Sequence, residues 1–400
     1  MSSTSDKFHW HRRAQDSIAH GYLTNSKRPT CFVNHPTHIV KAEGCYLWDH
    51  QGNRYLDFIC GLGANLLGYG HPQINEAISI QMRNGYSHSL ATDLEVRCAE
   101  KVKELFPFID RLRFLKTGSD ACSASLKIAR AYLEGKSLGS DLVISEGYHG
   151  FADEFISLTP PALGVPRYGD MKQITNKYSD GAIYITEPVI TDYSNERFKL
   201  LRERQEKSKV TIFDEIITGF RWQKSSVSKD RGFTPDIICL GKSIANGMPL
   251  SVVGGKKDIM ECGEYFISST YAGETLSLAA ALKTMELLQS KYHISDLWLK
   301  GEYFYEKFNS ISDKLKLVGY PTRGVFQGDD LTKALFFQES CKAGILFGPS
   351  FFINFPLVEH FDLVLNTVSD IFTRINTGLV KLEGPMPTSP FAQKVRNGDN

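Results

Sequence analysis

Three short apolar runs in the middle of the chain each end at one ionisable residue. They end at Glu187, Asp214 and Lys242, which follow one another at intervals of 27 and 28 residues. Such an interval holds one strand, one crossover helix and two loops, and fully apolar runs with β-branched residues are typical of buried parallel strands. Because ligands of open α/β sheets bind beyond the carboxyl ends of the strands, we expect the two acids and the amine to form a site at one sheet edge.

The composition limits the classes of function. The 46 basic residues nearly balance the 45 acidic ones among 400 residues, so we expect no nucleic-acid or anionic membrane surface as the main partner. No apolar stretch approaches the ~20 residues of a membrane span, and the first residues lack the apolar core of a secretion signal. Eight scattered cysteines without a Cys-x-x-Cys pair predict a cytoplasmic protein without disulfides or a metal site.

The sequence pattern predicts two domains. Helical and strand patterns alternate from about residue 73 to 290, as in an α/β domain. A hairpin pattern around the turn at 49–53 precedes this part, and amphipathic helices with short strands, such as Leu335–Phe337 and Gly344–Phe347, follow it. We predict a large α/β domain over residues 61–290 and a smaller α+β domain from residues 1–60 and 291–400, ending in a polar, extended tail.

Lys242 and Asp214 have two interpretations. A lysine in a tight, partly apolar pocket loses part of its preference for the charged form and becomes a nucleophile for carbonyl groups. The residues after Lys242 are small enough to leave such a space. A buried carboxylate such as Asp214 needs a cation or hydrogen-bond donors, and a structural ion pair with Lys242 is the alternative interpretation.

A second motif indicates an anion site. Thr117, Gly118 and Ser119 open a predicted helix, where backbone N–H groups and hydroxyls suit a phosphate. The alternative is ordinary N-capping by Ser119. A carbonyl-seeking lysine, a buried acid and a phosphate cradle together point to pyridoxal phosphate as the cofactor.

The motifs around these residues resemble the class III aminotransferase family, which includes glutamate-1-semialdehyde aminomutase. The resemblance is carried by Phe213-Asp-Glu with Thr218-Gly-Phe-Arg221, by Leu240-Gly-Lys242 with Gly247-Met-Pro249, and by Leu67-Gly-Tyr-Gly-His-Pro72, Gly147-Tyr-His-Gly150 and Glu187-Pro-Val189. It extends from about residue 28 to 290, and more faintly to about 375. It implies a fold type I large domain with a mostly parallel seven-stranded sheet, plus a smaller α+β domain.

The resemblance also implies the catalytic roles. Lys242 would form an aldimine with the cofactor and carry the proton during the reaction. Asp214 would keep the pyridine nitrogen protonated, so that the ring withdraws electrons. Glu187 would brace the site near the ring hydroxyl. His149 is left open as a base, a hydrogen-bond donor or a bystander.

The remaining residues implied by the resemblance hold the cofactor. Tyr148 would stack on one face of the ring and Ile216 on the other, although without the motif Tyr148 is typical of a core aromatic. Gly118 and Ser119 would bind the phosphate. Thr270 would join them from the neighbouring subunit, which implies a homodimer with shared active sites.

Two departures from the family pattern concern the substrate. No arginine occurs between Arg323 and Arg374, whereas many relatives use an arginine there to bind a carboxylate. The block from Gly348 to Pro356 also lacks the glutamate expected of the aminomutase, with Ile353 or a neighbour in its place. The three phenylalanines of that block are interpreted as core packing.

The sequence therefore predicts an aminotransferase that moves an amino group between a small-molecule donor and a carbonyl acceptor. The missing arginine makes a sugar or another non-amino-acid compound a candidate acceptor. The same cofactor supports an aminomutase, an epimerase or a decarboxylase, and these stay as alternatives. A non-catalytic binding protein of the same fold is the alternative of another class.

Overall fold

The computed structural model describes residues 9–134, 143–156 and 182–388, with the backbone alone for 143–146, 153 and 156. The chain divides into two compact units. The larger unit is Pro72–Asp296, and the smaller one combines described residues of Met1–His71 and Leu297–Asn400. The domain boundaries at 60/61 and 290/291 stay predictions, and the end of the predicted tail, from residue 389, lies outside the described residues.

The elements of the described residues follow in chain order. The α-helices are α1 (His9–Ser17), α2 (Pro72–Arg83), α3 (Asp93–Leu105), α4 (Gly118–Leu133), α5 (Asp153–Ile156), α6 (Asn195–Lys207), α7 (Val227–Arg231), α8 (Lys257–Met260), α9 (Thr275–Ser290), α10 (Ile294–Ile311), α11 (Asp330–Lys342) and α12 (Phe361–Asn376). The strands are β1 (Ile39–Glu43), β2 (Tyr46–Asp49), β3 (Arg54–Asp57), β4 (Arg111–Leu115), β5 (Val143–Glu146), β6 (Ile183–Thr186), β7 (Val210–Asp214), β8 (Ile237–Leu240), β9 (Ser251–Gly255), β10 (Leu315–Tyr320), β11 (Arg323–Gly328), β12 (Ile345–Leu346) and β13 (Ser350–Phe352).

The larger unit is built on a sheet to which the described residues contribute six strands, in the order β4-β9-β8-β7-β6-β5. Strands β5 to β8 are parallel to one another, and β9 runs antiparallel to both β8 and β4. The three apolar runs of the sequence are thus the adjacent strands β6, β7 and β8. The predicted α/β fold with a mostly parallel sheet is confirmed.

Burial on both faces explains why these strands are apolar throughout. Every residue of β6, β7 and β8 is buried. Helix α4 packs against β7, β8 and β9 and contributes Leu126, Ile128 and Ala129 to the same core as Ile212 and Ile237. A strand covered on both faces has no solvent side, so its sequence shows no alternation.

The smaller unit contains two antiparallel-rich sheets and an aromatic core. One sheet has the order β1-β2-β3-β12 and the other β10-β11-β13. The predicted hairpin of β2 and β3 is confirmed, as is the short strand β12. The rings of Phe304, Phe347 and Phe351 surround Phe58 at centroid distances between 4.8 and 5.6 Å.

One local prediction is wrong. Leu335–Phe337 belongs to helix α11 and not to a strand. The Asp329 side chain caps this helix by accepting a hydrogen bond from the backbone N–H of Thr332 at 2.8 Å. Residues 334–341 are all buried, so the helix lacks the alternation of polar and apolar faces from which its periodicity can be recognised.

The hydropathy of the described helices bears on membrane association. None of these helices combines the length and the hydropathy that crossing a bilayer requires.

Candidate active site

Asp214 is the centre of a buried polar cluster at the end of β7. Its side chain is 3% exposed. The Oδ2 atom lies 2.8 Å from Nδ1 of His149 and 3.3 Å from the sulfur of Cys122, and Oδ1 accepts the backbone N–H of Ile216 at 3.0 Å. Lys242 is not among the partners that the described residues give Asp214, so the structural ion pair is not formed.

The arrangement leaves room for one more donor to Asp214. A carboxylate offers about four lone-pair sites. His149, Cys122 and the Ile216 N–H use three of them within the described part of the chain, two on Oδ2 and one on Oδ1. A protonated pyridine nitrogen needs one acceptor, which Oδ1 can supply. The residues present therefore fit the nitrogen end of pyridoxal phosphate.

Lys242 follows β8, the strand next to β7. It begins a short 3₁₀ turn, Lys242–Ala245, and its φ of 41° is in the left-handed region. A side chain other than glycine costs about 1–3 kcal/mol in such backbone conformations, which persist where the surrounding structure enforces them and are common at active sites. The side chain is only partly buried, unlike its neighbours Gly241 and Ser243. This conformation supports a functional role for the amine.

The anion cradle lies at the start of helix α4, but its cap differs from the one proposed as the alternative. Thr117, not Ser119, is the N-cap: its Oγ1 accepts the N–H of Asp120 at 3.1 Å. The Asp120 carboxylate accepts the N–H of Thr117 at 2.8 Å in return, which completes a capping box. Capping by Thr117 leaves Ser119 inside the first turn, where its hydroxyl is available for other contacts.

Ser119 is held against the loop that carries Tyr148. Its Oγ accepts the backbone N–H of Phe151 at 3.2 Å, so the hydroxyl hydrogen remains for an acceptor such as a phosphate oxygen. Gly150 has a φ of 102°, and a Cβ there would lie 2.2 Å from this oxygen. Only glycine permits the close approach, which fits a cradle built for a small anion.

Two further predicted residues are held by contacts with neighbouring residues of the site. Ile216 packs against Gly118 and Gly241, where an added Cβ would lie 3.2 and 2.9 Å from its side chain. Oε1 of Glu187 accepts the N–H of Tyr148 at 2.8 Å. Tyr148 itself is 46% exposed, so it is not a core aromatic. An exposed ring beside buried polar groups can stack on a planar ligand.

Thr270 is the predicted residue that the structure does not bring to this cluster. It lies in an exposed turn before α9, and the described contacts do not join it to the cradle within one chain. Phe266 and Tyr271, on either side of it, expose 82% and 58% of their surface.

Sequence reasoning missed one member of the cluster and left another open. The sequence assigns no role to Cys122 beyond that of one scattered cysteine among eight, and it leaves the role of His149 open. Cys122 lies 92 residues and His149 lies 65 residues before Asp214 along the chain, so no local spacing connects either of them to it. The Gly147-Tyr-His-Gly150 motif was the signal for His149, and no comparable signal exists for Cys122.

Comparison with known proteins adds independent findings. The family model described as aminotransferase class-III matches residues 31–167 and 182–351. A glutamate-1-semialdehyde 2,1-aminomutase of Neisseria meningitidis serogroup A is 33% identical over 313 residues, covering 70% of this chain and 72% of that protein. A protein of the same name from Syntrophobacter fumaroxidans is 29% identical over 398 residues, covering 85% and 91%.

Solved structures share the fold. The PLP internal aldimine form of the FumI protein of Sphingopyxis sp. MTA144 has a TM-score of 0.83 at 21% identity, covering 95% of this chain and 99% of that one. An omega-transaminase from Sphaerobacter thermophilus has a TM-score of 0.81 at 20% identity, covering 92% and 97%. Family model, sequence relatives and fold agree with the predicted motifs, and the chain belongs to the class III aminotransferases, enzymes that use pyridoxal phosphate.

Proposed function

We propose that this enzyme transfers an amino group between a small-molecule donor and a carbonyl acceptor that is not a common amino or keto acid. The observation that carries the proposal is the juxtaposition of strands β7 and β8. Asp214, with one acceptor site left, ends β7, and Lys242 follows the adjacent strand in a left-handed conformation. When bound, pyridoxal phosphate supplies an electron sink for the carbon that carries the amino group.

The residues of the chain divide the work of holding the cofactor. Nζ of Lys242 would hold its aldehyde end and would carry a proton to and from the reacting carbon of the substrate. Oδ1 of Asp214 would accept the hydrogen of the pyridine nitrogen. Glu187 would lie near the ring hydroxyl, and it fixes the loop of Tyr148 by accepting that residue's N–H.

The flat faces and the phosphate are held by other groups. The exposed Tyr148 ring would stack on one face of the cofactor ring, and Ile216 would pack on the other. Gly118 offers its backbone N–H, and Ser119 its hydroxyl, at the positive end of helix α4. The Asp120 carboxylate in the same turn accepts the Thr117 N–H.

The choice of acceptor rests on what the smaller unit lacks. No arginine lies between Arg323 and Arg374 to bind a substrate carboxylate. Phe351, Phe352 and Ile353 of the same stretch are buried in the core of that unit. We therefore propose a neutral acceptor, with a sugar carbonyl as the first candidate.

A homodimer with shared sites completes the proposal. The exposed turn with Phe266, Thr270 and Tyr271 would be covered by a second copy, and Thr270 of the partner subunit would reach the phosphate. A cytoplasmic location is supported by the eight free cysteines, seven of which are buried.

An aminomutase is the second candidate, because two relatives that cover 70% and 85% of this chain carry that name. It would move the amino group within one substrate. Epimerisation and decarboxylation need the same cofactor residues and are outcomes of the same test.

The test is a spectrophotometric titration of the loaded enzyme with amino donors. We expect glutamate, alanine or a simple amine to remove the visible band of the bound cofactor, and a sugar carbonyl compound to restore it. If every donor leaves the spectrum unchanged, transamination is the wrong reaction. Glutamate 1-semialdehyde consumed without a second carbonyl compound would favour the aminomutase, and deuterium uptake without net transfer would favour an epimerase.

The matched control is Lys242→Ala. This variant should lose the band of the covalently held cofactor and show no donor response, because no other amine follows β8 at that position. Activity equal to that of the unchanged enzyme would contradict the assignment of Lys242.

A further inference from the structure

We propose that Cys122 is a positioning residue: its thiol donates a hydrogen bond to Oδ2 of Asp214 and thereby directs Oδ1 toward the pyridine nitrogen. The inference rests on the proposed function of Asp214 and adds a residue that neither the motifs nor the family resemblance identified. It starts from the 3.3 Å contact between the Cys122 sulfur and Oδ2.

The fold holds the Cys122 thiol in a fixed, buried position beside Asp214. Cys122 is the fifth residue of α4, faces the sheet and is 1% exposed. The register pairs Asp214 of β7 with Cys239 of β8, so α4 delivers one sulfur and β8 another to the same side of the carboxylate. A helix packed on its own sheet holds its side chains more rigidly than a loop does.

The proton resides on the thiol. A hydrogen bond with Cys239 is the largest cause that raises the pKa of Cys122 well above its ordinary value, followed by burial and the charge of Asp214. One S–H donates to one acceptor at a time, and a carboxylate is a stronger acceptor than a thiol sulfur. We therefore assign this hydrogen to Asp214.

The same three side chains could be read as metal ligands. The ligand atoms of Cys122, His149 and Asp214 lie within 4.8 Å of one another. A metal ion would require a thiolate, and the raised pKa of Cys122 opposes its formation. The cluster is better explained as a carboxylate with two side-chain donors.

The two donors on Oδ2 have a definite consequence. With His149 and Cys122 both on Oδ2, the plane of the carboxylate is fixed and the unused lone pair is on Oδ1. Without the thiol, Asp214 keeps one side-chain donor and can rotate. The cofactor nitrogen then loses a pre-aligned acceptor, which lowers affinity and loosens control of its protonation.

Three variants test this. Cys122→Ala removes the donor, and Cys122→Ser keeps a donor of similar size. Cys239→Ala makes a comparable small cavity beside Cys122 at a residue that is not among the side-chain donors that the described residues give Asp214. We expect Cys122→Ala to weaken pyridoxal phosphate binding to the cofactor-free chain by about threefold to tenfold. Cys122→Ser should restore it, and Cys239→Ala should stay near the unchanged protein.

Two spectroscopic measurements separate positioning from packing. The nitrogen chemical shift of ¹⁵N-labelled pyridoxal phosphate should report weaker ring protonation in Cys122→Ala alone. The infrared S–H stretch of Cys122, isolated by subtracting the Cys122→Ala spectrum, should lie at lower frequency in the cofactor-free protein than in an Asp214→Asn background.

The inference fails if Cys122→Ala matches Cys239→Ala in affinity and nitrogen shift, or if Cys122→Ser is as impaired as Cys122→Ala. An S–H band that does not respond to Asp214→Asn also overturns it. The infrared test needs no cofactor, so it decides the hydrogen bond even if the unchanged chain takes up no pyridoxal phosphate. That last result would instead refute the proposed function.

Discussion

Both units of the chain contain a strand that ends at a buried aspartate, Asp57 in the smaller unit and Asp214 in the larger one, and these two carboxylates are satisfied differently. Asp57 ends β3 and Asp214 ends β7, and they are 1% and 3% exposed. Each accepts the backbone N–H of the residue two positions on, Ile59 at 2.8 Å and Ile216 at 3.0 Å. The local structure is thus the same in both units.

The difference lies in the remaining lone pairs. Asp57 receives the Tyr69 hydroxyl at 2.6 Å and the N–H groups of Ile59, Cys60 and Gly61, so four donors fill its four acceptor sites. Asp214 receives three donors from the part of the chain that the structure describes, which leaves one site. A saturated carboxylate only holds its own loop, whereas a carboxylate with a site left can bind a ligand.

The largest expected effect is a loss of catalytic activity, and it distinguishes Asp214 from Asp57. Asp214→Asn removes the charge that would hold the pyridine nitrogen protonated, so we expect kcat to fall by about 10²–10³-fold. Asp57→Asn is the matched control, and its activity per folded molecule should stay near that of the unchanged enzyme. Steady-state transamination, corrected for the folded fraction, measures both.

Equal losses of activity in Asp214→Asn and Asp57→Asn would contradict the proposed difference between the two carboxylates. A loss of stability without a loss of activity in Asp214→Asn would also contradict it, because Asp214 would then be structural like Asp57.

The next effect is on stability in the smaller unit. Tyr69→Phe removes one donor from the buried Asp57 carboxylate and should cost about 1–3 kcal/mol in the free energy of unfolding. Burial raises the pKa of Asp57, and the Tyr69 hydrogen bond opposes that rise. A protonated Asp57 needs the donor less, so the deficit should shrink as the pH falls toward about 3.9, the value of an unfolded aspartate.

Denaturant unfolding of Tyr69→Phe and the unchanged chain at pH 7 and pH 4 checks this expectation. A deficit that grows at the lower pH would mean that Tyr69 does not stabilise the ionised carboxylate.

The strand pattern of the larger unit was predictable because burial dictates it. A strand covered on both faces must be apolar, and the polar residue that ends it lies at the ligand edge of the sheet. Those two rules located Glu187, Asp214 and Lys242. The glycine turn that opens a helix indicated Ser119, and the family motifs added Tyr148. The same burial made helix α11 unrecognisable from the sequence, because Leu335–Phe337 and their neighbours have no polar face that would show the helical period.

The donors of Asp214 were not predictable, because they depend on packing. Cys122 meets the carboxylate only through the contact of α4 with β7 and β8. A cysteine in a helix pattern is indistinguishable from any small apolar residue until its neighbours are known. For Asp57 the opposite holds: three of its four donors lie within four residues of it along the chain.

One histidine of each unit extends the comparison, and the smallest expected effect is the pH dependence of stability that follows from His38. His149 faces the carboxylate of Asp214, whereas His38 of the smaller unit faces His11 and His50. Partial burial, followed by the charges of those two histidines, lowers the pKa of His38 below 6.5. The unfolded chain therefore binds this proton more readily than the folded one.

The sign of the pH dependence follows from that difference. The contribution of His38 to stability is fully present above about pH 6.5 and is lost as the pH falls through that value toward the lower pKa of the folded state. Titration of the His38 ring by NMR should give a pKa below 6.5, and His11→Asn should raise it, because one of the neighbouring charges is gone. A His38 pKa that stays the same in His11→Asn would show that burial alone sets it.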